Sequence, residues 1–164
     1  MGMMSVLDVA NFFLSKSIPN TQQAVTHLKL QKLVYYAQAF YLAFDCETQY
    51  KDNLFDDKLQ AWTHGPVSRQ VYDTFQEHGN RFEELPVFYG DVPSPDDYIK
   101  QILECVWKTY GNFSGSQLEF FTHRETPWIS ARMRAGVEPW EPSNEIIDLK
   151  EMKNYYKKSL GLLQ

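Results

Sequence analysis

Cysteine is nearly missing. Cys46 and Cys105 are the two among 164 residues, far apart and in no Cys-x-x-Cys pair, which argues against a disulfide framework and a cysteine-built zinc site. Excess positive charge is missing too: 16 Lys plus Arg stand against 21 Asp plus Glu, a net charge of -5. No overall basic field would draw in a phosphate backbone, so nucleic acid is not the expected partner. No run reaches the roughly 18 apolar residues that a membrane span needs, and MGMMSVLDVANFFLS has no basic stretch ahead of its apolar residues. A cytoplasmic protein away from the membrane is the expectation. Also absent are internal repeats, a glycine-rich phosphate loop, a His-Glu-x-x-His pair and any clustered spacing of metal ligands. The histidines His27, His64, His78 and His123 stand too far apart to claim a site. The expectation is therefore no metal, no cofactor, no catalytic residue and no enzymatic turnover.

What the chain does have is aromatic residues and helical periodicity. Eleven Phe, ten Tyr and four Trp make up 15% of the sequence, enough for a ring-rich interior or contact surface. The length suits one domain, 1-164, able to bury a core. In LKLQKLVYYAQAFYLAF (28-44), Leu30, Leu33, Val34, Ala37, Phe40, Tyr41 and Phe44 recur at helical spacing. Tyr35, Tyr36, Ala39, Leu42 and Ala43 fill most other directions, leaving Lys29, Gln31, Lys32 and Gln38 as polar breaks. That pattern predicts a central helix surrounded by neighbours, with Leu30, Leu33, Val34, Ala37 and Phe40 in the core.

Local signals divide the rest into short helices. Ser5 with Asp8 forms a capping-box pattern before a helix to about Lys16, and Thr26 is placed to cap the central helix. The turn between these two invites comparison with a DNA-binding helix-turn-helix, but the second helix carries too many large apolar residues to lie solvated in a groove. Gly65-Pro66 predicts a helix with Pro66 at its first position, bearing Val67, Val71 and Phe75 and stopping near Gly79. Arg81 to Pro95 reads as an exposed connection with a short strand or contact edge. Ser94, Pro95 and Asp97 signal a helix to Gly111 that should pack on the central one. Ser114 with Gln117, Thr126-Pro127, and Asp148 with Glu151 open three more. The whole is a mainly α domain of six or seven helices, with room for one or two short strands. His64 lacks a Ser, Cys or carboxylate at a recognised spacing, and His123, Arg124 and Glu125 diverge around a helix. Structural roles, a cap network or buried ion pair for the latter three, are favoured over acid-base chemistry.

Three stretches in this order, LKLQKLVYYAQAFYLAF, QAWTHGPVSRQVY and LEFFTHRETPW, resemble the Panacea domain, the SocA-like antitoxin family also described as phage-associated or GepA-like. The resemblance runs from Val6 to about Tyr156 and departs at Gln60, where an acidic residue is expected. It marks Leu30, Lys32, Leu33, Tyr35, Tyr36, Trp62, Gly65, Pro66, Val67, Tyr72, His123, Arg124 and Trp128 as family-motif residues, read here as structural. It implies a helical antitoxin that neutralises a cognate toxin protein by direct contact and, in the SocA type, delivers it to a ClpXP-type protease. A DNA-binding regulator of its own operon is the alternative, and a hydrolase using His64 or His123 ranks last. Among the rings outside the two core stripes, Phe82, Phe88, Tyr89, Tyr155 and Tyr156 are the partner-binding candidates, provided they are exposed.

Overall fold

One helix, α2 (His27–Ala43), is buried along all 17 of its residues. The computed structural model describes residues 3–44, 53–93 and 97–162; Cys46 and the Ser94-Pro95 cap lie outside them. Thr26 caps α2 by accepting from the Lys29 N–H at 3.2 Å. A helix so enclosed can carry polar residues only if each finds a partner, because an unpaired buried polar group costs about 1 to 3 kcal/mol. Its polar side chains meet that condition by bonding backbone outside the helix, and Lys29 and Gln38 bond loops. Lys29 Nζ donates to Gln22 O at 3.0 Å and Gly111 O at 2.6 Å. Gln38 donates to Phe55 O at 2.9 Å and accepts from the Leu54 N–H at 2.7 Å. The periodicity thus finds the helix, and the four polar breaks are its tethers. The burial of every face also removes α2 as a groove-reading helix.

Around α2 stand α1 (Val6–Lys16), α3 (Arg69–Phe75), α4 (Asp97–Tyr110), α5 (Gly115–Thr122), α6 (Thr126–Ala135) and α7 (Leu149–Ser159). The fold is mainly α, as expected. Ser5 and Asp148 cap α1 and α7, and Ser114 with Gln117 forms a full capping box at α5. The predicted stripe of α4 buries Ile99, Ile102, Leu103 and Val106, and α4 packs on α1 and α2. Gly136, left-handed at φ 67°, ends α6.

The Gly65-Pro66 expectation needs correction. Pro66 does not open a helix but lies in β2 (Gly65–Ser68), paired antiparallel with β1 (Leu59–Trp62) and facing Ala61 across the register. The helix begins three residues later, after Ser68, whose hydroxyl accepts from the Val71 N–H. A Gly-Pro pair satisfies helix-start chemistry locally, and non-local pairing overrides it. Residues 145–147 flank β1 on its other side, through Ala61 N–H to Glu145 O at 2.9 Å and Ile147 N–H to Leu59 O at 2.8 Å. Among the described residues, the connection after α3 makes one bridge, Thr26 with Glu84.

Candidate functional site

The three motif stretches meet over α2. Lys32 Nζ donates to Pro66 O at 3.2 Å. Gln31 donates to Ser68 O at 3.3 Å and accepts from the Ser68 N–H at 2.9 Å, fixing β2 to the helix. From α6 the Trp128 indole N–H donates to Trp62 O at 2.9 Å. His123 sits between two carbonyl oxygens, Nδ1 2.7 Å from Glu119 O and Nε2 2.8 Å from Thr63 O, with its ring 3.9 Å from that of Trp128. Trp62, Gly65, Pro66, His123 and Trp128 therefore hold the hairpin turn between α2 and the α5–α6 corner. Gly65 has φ +109°, and a Cβ there would lie 2.6 Å from Lys32 Cε. Gly65→Ala combines that overlap with a backbone conformation costly for any L side chain, so a loss of about 2 kcal/mol or more in urea unfolding is expected.

The His123-Arg124-Glu125 run is neither an acid-base cluster nor an ion pair. Arg124 is exposed and lies over the Phe120 ring. Glu125 turns the other way, into a tyrosine cluster. Its Oε1 accepts from Tyr36 Oη at 2.7 Å and from Tyr156 Oη at 2.9 Å, and Tyr156 Oη lies 3.0 Å from Tyr35 Oη. Burial pushes the Glu125 carboxyl above its ordinary range, and the two tyrosine hydroxyls offset part of that rise. Between the ordinary and the raised value, the folded state holds a proton that the unfolded state has lost, so this group's contribution to stability falls as pH rises. Glu125→Gln keeps the acceptor oxygen and removes the titration. Thermal melts from about pH 4 to about pH 8 are expected to show the wild type losing stability relative to this variant as pH increases.

A cleft of about 910 Å³ opens where α2, the hairpin, α3 and residues 142–144 come together. Lys32 and His27 form part of its floor, Trp62 and Tyr72 a wall, and Arg69 and Arg81 also line it. Burial, with the charges of Lys32 and then His78 adding to it, holds the His27 ring down to about 4. Burial likewise lowers the Lys32 ammonium to about 7 against the opposing charge of Glu119. His64 pairs with Glu119 at 3.2 Å.

Of the candidate contact rings, Phe82 and Tyr89 are exposed, whereas Phe88 and Tyr155 are half-buried against the core. Tyr156 is a correction. It is 1% exposed, because its hydroxyl has buried partners in Tyr35 and Glu125. Trp140 was missed: read as part of a rigid Pro-rich connector, it is 74% exposed. Its loop is gripped from below by Arg132, whose guanidinium donates to Glu138 O at 2.8 Å and Glu141 O at 2.6 Å. No local sequence signal joins Arg132 to that loop.

A hairpin and a helical corner locked onto one fully enclosed helix define a mainly α scaffold of the kind that presents surfaces and clefts. The family model described as antitoxin SocA-like, Panacea domain, matches residues 30–129. The chain belongs to this family. No curated protein matches the chain, and no solved structure matches it. No helix among the described residues is long and apolar enough to cross a membrane.

Proposed function

We propose that the chain neutralises a cognate toxin protein in the cytosol by stoichiometric contact, without turnover. Family membership supports an antitoxin-like role in general. The observation that favours contact is Trp140, a large ring presented to solvent on a loop that Arg132 holds from below. Tryptophan is among the residues that most often dominate binding energy, and a loop already ordered loses little entropy on docking. Neutralisation at nanomolar affinity requires about 12 kcal/mol, which a few such rings can supply. Phe82 and Tyr89 are the secondary anchors. Delivery of the bound toxin to a ClpXP-type protease extends the same reading.

Co-expression with the product of the adjacent reading frame tests it. Growth rescue and a co-purifying complex are expected, and Trp140→Ala should weaken that complex at least tenfold with an unchanged melting temperature. Rescue at strongly sub-stoichiometric levels in cells lacking ClpXP-type proteases, with the toxin chemically altered, would overturn contact in favour of enzymatic action.

A further inference from the structure

The cleft over Lys32 is unusual in sign. The chain carries a net charge of -5, yet Lys32, Arg69 and Arg81 line the cleft and no Asp or Glu does. The nearby carboxylates are not among the lining residues: Glu119 lies against His64 at 3.2 Å and Asp73 against Arg69 at 3.2 Å. Arg81 has no such partner among the described residues; its guanidinium lies 4.5 Å from the centre of the Phe82 ring.

Lys32 itself is 0% exposed. Its only hydrogen bond among the described residues is the 3.2 Å contact to Pro66 O, so an ammonium with three donors uses one. Desolvating such a charge costs several kcal/mol unless a partner compensates, and a single carbonyl is little compensation. By contrast, Lys29 on the same helix has two carbonyls and the Trp107 ring.

We infer that this cleft is a binding site for a small organic phosphate of mononucleotide size, its anionic group held at Arg81 over the buried charge of Lys32 and its body lying against Trp62 and Tyr72. A volume of about 910 Å³ lies within the range of small-ligand sites, roughly 300 to 1,000 Å³. A phosphate monoester carries close to two negative charges at neutral pH, matching Arg81, which has no carboxylate partner among the described residues, together with Lys32, on which Glu119 alone acts as an opposite charge, where a monocarboxylate would match one. The two rings, with centroids 5.0 Å apart and an edge-to-face tilt, supply apolar wall. The titratable groups that interact with Lys32 are His27 from its own helix and Glu119 from α5. Of these only Glu119 favours its charged form. A bound phosphate adds a second negative partner, so complex formation above neutral pH should take up a proton.

Isothermal titration of the purified full chain at low salt with AMP, ribose 5-phosphate, adenosine and inorganic phosphate tests the assignment. AMP is expected to bind, at least tenfold more tightly than inorganic phosphate or adenosine, with ribose 5-phosphate between. Lys32→Met should weaken AMP at least tenfold, and Arg81→Ala, a rim change that leaves the core untouched, severalfold. At pH 8 the binding heat should vary with the buffer's ionisation enthalpy in the wild type and not in Lys32→Met. Absence of AMP and ribose 5-phosphate binding at millimolar concentration would overturn the inference. So would equal affinity for inorganic phosphate, or AMP binding unaffected by both variants. An acidic peptide or an oligonucleotide that binds through Lys32 while AMP does not would also overturn it.

Discussion

Leu33→Ala is expected to lower the unfolding free energy by about 2 to 5 kcal/mol, read as a drop in urea midpoint with little change in slope. Leu33 is 0% exposed, near the middle of a helix that α1, α3, α4, α5, α7 and β2 all pack against. Truncation removes apolar area from the core and leaves a cavity. The upper part of the range is expected, because α2 is tethered at Lys29, Gln31, Lys32 and Gln38 and cannot shift to close the gap. A midpoint unchanged within error would place this face outside the cooperative core.

Lys32→Met is expected to act in the opposite direction at neutral pH. Burial lowers the Lys32 ammonium from 10.5 to about 7 in the folded chain. Between those values the unfolded state binds the proton and the folded state does not, so the wild type gains stability as pH rises from 7. Below 7 the full desolvation cost is present. A shift of this size corresponds to roughly 3 kcal/mol gained by about pH 9.5. Methionine fills a similar volume and has no charge to desolvate. The gap between variant and wild type should be at its full size below pH 7 and narrow toward pH 9.5, followed by urea unfolding at each pH. Lys29, also lowered by burial, to about 8, is common to both proteins and drops out of the difference. A gap independent of pH would show that Lys32 keeps its charge in the folded state throughout that range.

The parts of the fold legible in sequence were those specified by neighbours along the chain. Ser5, Thr26, Ser114 and Asp148 each meet an N–H three residues on, and the apolar spacing of α2 needs no knowledge of what covers it. Pro66 went the other way because its placement depends on Ala61 across the hairpin, and helix-start chemistry carries no information about that partner. Glu125 looked like part of a cap network, whereas Tyr36, 89 residues earlier, holds it. The cleft draws on residues 27–32, 60–72, 76–81 and 142–144, so its lining of Lys and Arg without a carboxylate appears only when strand pairing and the Arg132 grip bring those segments together. Lys32 and Gln31 break the apolar stripe in the sequence, and what makes them tethers is the β2 backbone that they bind.

The enclosure of α2 also sets an order in time. The helix leaves the ribosome well before its covering, since Tyr35 has its hydroxyl partner in Tyr156, 121 residues later. At translation speeds of 5 to 20 residues per second, the interval is roughly 6 to 25 s. During it a helix that the finished fold encloses on every face lacks its covering from α7, so each nascent copy passes through a window open to proteases and to self-association. The steady supply of finished protein therefore depends on how quickly the last helix arrives as well as on the stability of the completed fold.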